Sequence, residues 1–193
     1  TSYYKLRDIK TYGSLEWLAD NTKKYRSVFE QDELTYVYCE VSIFNKKFDE
    51  EDWTFKMQLK CFDEKNNEMC NITCDRFISK EENIAFIREG WGVKLPGTYW
   101  RAGIYRWEAY VGDDKIASKT FYVENIGFVK PGRNPYFNLN TVKLFEGSSD
   151  QFNTKDKKYY KIFNAFHTKY IWTEINAENL TRRHSQLPIE LIV

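Results

Sequence analysis

Histidine is almost missing from this sequence: two in 193 residues, His167 and His184, beside four cysteines, two methionines and four prolines. Neither histidine lies near the cysteines, so no four-ligand Cys/His set for a structural zinc suggests itself. Neither follows a G-x-S-x-G or comparable nucleophile context, so a Ser–His or Cys–His enzyme has no sequence support. No run of 18 apolar residues occurs, which excludes a transmembrane helix. No signal peptide is visible. The chain begins at Thr1 rather than Met and reads as a piece of a longer polypeptide. Excess charge of either sign is also lacking, with 29 Lys and Arg against 28 Asp and Glu. A near-neutral chain sets up no field that gathers phosphate, so nucleic acid is not the expected partner.

What the sequence has in abundance is aromatic side chains. Tyr 14, Phe 14 and Trp 6 make 18% of the residues. Rings pack well on a pleated, half-buried surface, so this bias points to a β-rich core. It also leaves open a stacking surface for sugars or bases. Cys39 and Cys61 sit in apolar alternating stretches, where a thiol behaves as a small hydrophobe; Cys70 and Cys74 are spaced C-x3-C. Free thiols in such a fold suggest a reducing, cytoplasmic compartment, although spacing alone leaves a Cys39–Cys61 bridge open.

An internal repeat organises the chain. SYYKLRDIK (2–10) matches PYFNLNTVK (135–143) at an offset of 133, with Tyr3/Tyr136, Leu6/Leu139 and Lys10/Lys143 identical. The match resumes at offset 134, where KKYRSVFEQDELTYVYCEV (23–41) lies on KKYYKIFNAFHTKYIWTEI (157–175). The strict alternation Trp53, Phe55, Met57, Leu59 then predicts Leu187, Ile189, Leu191, Val193, the period of a strand with one buried face. The expected organisation is one complete module over 1–127, a linker over 128–134 and an incomplete second copy over 135–193, which stops where the first has reached Leu59.

Strand-forming composition bounded by turn residues predicts strands over 3–12, 24–30, 34–44, 53–62, 68–77, 84–88, 99–111 and 115–124, then 136–146, 158–163, 169–176 and 187–193. Gly112-Asp113-Asp114 predicts a tight hairpin turn between the last two strands of the first copy. SLEWLADN (14–21) has helical spacing, but its counterpart GSSDQFNT (147–154) is loop chemistry, so a loop with at most one helical turn is expected there. Eight strands in about 125 residues without a long helix predict an all-β, immunoglobulin-like antiparallel sandwich. The antibody-type Cys…Trp…Cys signature is absent.

Three motifs stand out. Gly127–Asn134 has GxxxxG spacing, but Arg133 and Asn134 stand where a phosphate loop needs Lys and Ser/Thr, so it reads as a linker turn. Asp49, Glu50, Glu51 and Asp52 form an acidic turn without the spacing of a calcium loop. Gly90-Trp91-Gly92-Val93-Lys94-Leu95-Pro96-Gly97 is the stretch with most functional character: a Trp between glycines reads as a mobile loop on a rigid sandwich. Trp91, Lys94 and Trp100 are therefore the candidate binding residues, and a Trp capping the open end of the core is the structural alternative. No catalytic, metal or cofactor residue is expected.

Two stretches carry a family resemblance: VKLFEGSSDQFNTKDKKYYKIFNAFHTKYIWTEINAENL of the second copy and LPGTYWRAGIYRWEAYVGDDKIASKTFYVEN ending the first. They resemble the repeated N-terminal region of Bacteroidetes AAA+ ATPases of the stage V sporulation protein K (CbxX) type. The shared elements are Tyr12 or Phe145, Lys23–Phe29 or Lys157–Phe163, Tyr36–Glu40 or Tyr170–Glu174, and the closing hairpin Gly97–Val123. The resemblance implies a non-catalytic accessory region tied to an ATPase, binding a protein client or mediating assembly. The alternative expectation is a carbohydrate-binding module, which needs Trp91 or Trp100 exposed and coplanar with a neighbouring ring. An incomplete second copy, with unpaired edges, further predicts packing or strand exchange with another chain.

Overall fold

The computed structural model describes residues 2–17, 23–125, 137–147 and 157–180. The chain divides into two units, Thr1–Ile126 and Gly127–Val193. The expected linker, the Gly127–Asn134 turn, His184 and the expected strand 187–193 lie outside the described residues.

The first unit is an immunoglobulin-like β-sandwich. Its strands are β1 (Tyr4–Trp17), β2 (Lys23–Tyr25), β3 (Val28–Glu30), β4 (Tyr36–Asn45), β5 (Trp53–Asp63), β6 (Glu68–Ile78), β7 (Ile84–Gly92), β8 (Gly103–Val111) and β9 (Asp114–Glu124). They form a four-stranded sheet in the order β2-β1-β4-β7 and a five-stranded sheet in the order β3-β9-β8-β5-β6. The chain changes sheet between β2 and β3, β3 and β4, β4 and β5, β6 and β7, and β7 and β8, a Greek-key-like crossing pattern.

Alternation along the strands builds the core. Val37, Cys39, Val41 and Ile43 of β4 are fully buried. They share one core cluster with Phe55, Met57, Leu59 and Cys61 of β5, Trp107 of β8 and Phe121 of β9. Strict period-2 patterning made these positions legible because a one-residue slip would turn the whole apolar set to solvent. All four cysteines are buried free thiols. Burial pushes their thiols up, Cys74 to about 11 and Cys70 to about 12, so they are packing groups rather than nucleophiles. The β8–β9 hairpin turns at Gly112, whose φ of 60° favours glycine.

Four expectations need correction. The stretch from Ser14 to Trp17 is not loop: it continues β1, because β2 folds back on it and supplies ladder partners as far as Trp17↔Lys23. The single strand expected over 24–30 is two strands in different sheets, since the chain leaves β1 after Tyr25 and runs alongside β9 from Val28. That β3–β9 pairing is parallel, so the sandwich is not purely antiparallel. In the second unit, the strand expected over 158–163 is a single bridge, Phe145↔Tyr159.

The described part of the second unit is a two-stranded antiparallel ribbon, β10 (Phe137–Gly147) and β11 (Tyr170–Asn179). Its internal pairing follows that of β1 and β4 residue for residue. Lys10↔Glu40 and Tyr12↔Tyr38 correspond to Lys143↔Glu174 and Phe145↔Trp172, at the two repeat offsets. A register shift falls between Leu6 and Asp8 in one pair and between Leu139 and Thr141 in the other, again 133 residues apart.

Phe121 contacts Phe29, Trp100 and Tyr105 and is fully buried. Phe121→Ala is expected to destabilise the first unit by about 3–5 kcal/mol, read from the urea midpoint.

Candidate functional site

The Gly90-Trp91-Gly92 stretch is not a mobile loop. It is the end of β7, paired with β4 through Tyr36↔Gly92, Val37↔Trp91 and Tyr38↔Gly90. The glycines are there for close approach. A Cβ on Gly90 would sit 2.6 Å from the Tyr38 ring, and one on Gly92 would sit 2.0 Å from the Thr35 carbonyl oxygen. Unbroken alternation puts Trp91 on the same side of β7 as buried Ala85 and Ile87, at the end of the core. Its Nε1 donates to the Tyr99 hydroxyl at 2.8 Å. The residue remains 39% exposed at that end of the strand. Lys94 and Leu95 follow on the surface, and the segment is tied back through Gly97 N to the Leu34 carbonyl at 3.1 Å.

Trp100 is a core residue, with no exposed surface. It meets Tyr105 and Phe121 edge-on at centroid distances of 5.0 and 5.5 Å. A ring so enclosed cannot stack on a ligand arriving from solvent. Tyr99 and Tyr105 are close to it in sequence, the former edge-on at 5.2 Å, whereas Phe121 reaches it from β9.

The opposite end of β4 carries a feature not expected from sequence. Ser2, Tyr3, Tyr4, Trp53, Thr54, Phe55, Lys56 and Val111 line an open groove of about 510 Å³. Its walls are rings set at angles: Tyr3 to Trp53 at 5.4 Å and 60°, Tyr4 to Phe55 at 4.8 Å and 59°. Trp53 is held from behind. Its Nε1 donates to Asn45 Oδ1 at 3.0 Å. Asn45 is itself buried, accepts the Lys47 N–H at 2.8 Å and donates to the Ser79 and Glu82 carbonyls. Lys47 Nζ stands 5.0 Å over the Tyr3 ring. Apolar walls with a few fixed polar groups are the usual make-up of a binding cleft. Burial, and then the charge of Asp114, raise the Tyr4 phenol above its ordinary range and keep it protonated.

Two carboxylates on the outer faces of the sheets are paired rather than poised. Glu40 accepts Tyr25 Oη at 2.7 Å and Arg88 Nε at 2.5 Å. Burial disfavours the charge on Glu108, but hydrogen bonds from Tyr110, Arg106 and Lys115 outweigh it and hold the carboxyl down at about 2. The acidic turn is solvated, with Lys47 Nζ 2.9 Å from Glu50 and 3.2 Å from Glu51, and Asp52 accepting the Lys80 N–H at 2.7 Å. His167 is exposed in the turn after Asn164. Among the described residues no group of His, Cys, Asp and Glu is placed to hold a metal ion, and no helix is long and apolar enough to cross a membrane.

No family model and no curated protein matches the chain. Solved structures resemble part of it, among them the following two. An immunoglobulin-like protein from Pseudomonas aeruginosa is 10% identical with a TM-score of 0.41, over 64% of this chain and 98% of that one. The alkylpurine DNA glycosylase AlkC of Pseudomonas fluorescens, solved on DNA containing an abasic site analog, is 8% identical with a TM-score of 0.40. That match covers 64% of this chain and 31% of the glycosylase, so the chain spans under a third of that enzyme's length.

Glu108 yields a pH prediction. Its carboxyl lies lower in the folded chain than the ordinary 4.5, so its stabilisation is fully present above about 4.5 and is lost as pH falls toward about 2. Glu108→Gln should lower stability at pH 7 by about 1.5–3 kcal/mol and flatten the fall in urea midpoint between pH 4.5 and 2.

Proposed function

We propose that this chain is a non-catalytic protein-interaction module that receives an extended peptide segment in the Tyr3–Trp53 groove. The observation that carries the proposal is the groove: an open, ring-walled cleft whose central indole is fixed by a buried asparagine. A preset ring loses little freedom on binding, which favours affinity. The tilted rings leave wedge-shaped spaces that suit apolar side chains or prolines better than the flat face of a sugar. Trp91 and Leu95, on the surface at the other end of β4, are a second apolar contact for an assembly partner.

A finer reading follows from the sequence resemblance alone: the module serves a AAA+ ATPase as an accessory region, in the cytoplasm, bringing client or partner to the motor. Its check is whether the gene encoding this chain also encodes a strand followed by GxxxxGK[ST].

Peptides selected from a displayed library on the full chain should contain apolar or proline-bearing extended segments. Their binding should fall about tenfold or more in Tyr3→Ala and Trp53→Ala, and stay unchanged in Leu95→Ala, measured by fluorescence titration. A glycan array run in parallel should stay blank. Glycan binding without peptide selection would replace this reading with the carbohydrate one.

A further inference from the structure

Cys61 and Cys70 stand directly opposite each other in the β5–β6 ladder. Both are buried, Cys61 with no exposed surface and Cys70 with 7%. All four thiols of the chain are free, and all four belong to the core cluster of the first unit. Burial raises the Cys39 thiol, and the nearness of Cys61, Cys74 and Cys70 raises it further. The four are thus neighbours in the interior, and strand geometry decides which of them can be joined.

Directly opposed residues of an antiparallel pair have Cα atoms about 4.5–5.5 Å apart, within the roughly 4.4–6.8 Å that a disulfide spans. Cys61 and Cys70 meet that condition without movement of the backbone. The C-x3-C pair does not. Cys70 and Cys74 lie on one strand, β6, where four residues cover about 13 Å. Cys39 lies on β4, in the other sheet. Stacked sheets are about 10 Å apart, so a bridge from Cys39 requires the sheets to close up.

The Cys61–Cys70 pair also sits where the ladder is weakest. β6 is the outer strand of its sheet and, among the described residues, pairs only with β5. The register shifts immediately after the pair, with Phe62 facing Glu68 rather than Met69. An irregular ladder end on an edge strand belongs to the low-stability part of a fold and opens locally. In the closed ladder burial holds both thiols protonated, Cys70 at about 12 and Cys61 well above its ordinary range. Opening returns them to water, and Cys70, on the outer strand, is the first to be reached.

We propose that Cys61 and Cys70 are an oxidisable dithiol, a modification site for small-molecule disulfides. The Cys70 thiolate attacks one sulfur of the oxidant disulfide, and the departing thiolate takes up a proton. The Cys61 thiolate then attacks the Cys70 sulfur of the mixed disulfide and expels the second thiolate. One Cys61–Cys70 bond forms, the S–S bond of the oxidant is reduced to two thiols, and the protons lost by the two cysteines end on those thiols. The product ties the edge strand to β5 at the point where the ladder loses register.

The test is incubation of the folded full chain with oxidised glutathione, followed by thiol counting and mass spectrometry of the intact chain. Free thiols should fall from four to two, with loss of two hydrogens. Cys70→Ala should abolish the bridge, and Cys61→Ala should stop at the glutathione adduct on Cys70. Cys39→Ala and Cys74→Ala should keep the bridge. The oxidised chain should show a higher urea midpoint, reversed by dithiothreitol, and slower hydrogen exchange over Glu68–Ile78. Four thiols that persist in native buffer and react only in urea would overturn the proposal. So would a bridge that survives Cys70→Ala, or a glutathione adduct that Cys61 of the unaltered chain never displaces.

Discussion

A carboxylate with almost no exposed surface sits at the middle of the four-stranded sheet, and much of the first unit is arranged to keep it there. Glu40 lies on β4, whose other face is the apolar row Val37, Cys39, Val41 and Ile43. A buried charge is tolerated only when it is paired and hydrogen-bonded. The hydroxyl comes from Tyr25 and the guanidinium from Arg88, so β2 and β7 must both come to β4's side of the sandwich. That requirement is met by the β1–β2 fold-back and by the β6–β7 crossing. Burial and the nearby Glu40 charge push the Tyr12 phenol up to about 12, which keeps it a neutral lid on the ion pair at any ordinary pH.

Close packing around that strand also decides what is available for binding. At one end, Gly90 and Gly92 let β7 press against Tyr38 and Thr35, and Trp91 stands partly exposed, its Nε1 donating to the Tyr99 hydroxyl. At the other end, Asn45 spends its amide on Trp53 and on two backbone carbonyls, so a large ring stands fixed beside an opening. The same strand thus runs from a tightly closed end to a groove. The difference lies in whether its last residues meet small neighbours that permit closure or a polar anchor that holds a ring aside.

The strands and their inward faces were readable because period-2 alternation is a local signal and the apolar rows of β4, β5 and β8 are unbroken. The repeat was readable because both halves keep the same aromatic, lysine and glutamate positions. The functional stretch was misread for a physical reason. Glycine is locally a sign of freedom, and only the Tyr38 ring and the Thr35 carbonyl, supplied by another strand, turn Gly90 and Gly92 into close-contact positions. Trp100 was misread in a similar way, since its enclosure is completed by Phe121, which arrives from β9. The groove was missed because Trp53 and Tyr3 are separated by 50 residues and each looks, alone, like the start of a strand. An asparagine ending a buried strand just ahead of a tryptophan was the one available hint.

By itself the sequence determined the β architecture, the residues that face inward and the recurrence of one aromatic–glutamate pattern, because each depends on spacing along the chain. The tertiary structure alone decided which tryptophans are core and which wall the groove. It also decided that Arg88 reaches Glu40 from β7 and that β3 runs parallel to β9. Those outcomes depend on which strands become neighbours, and neighbours are chosen by the burial of whole faces rather than by any residue's local preference.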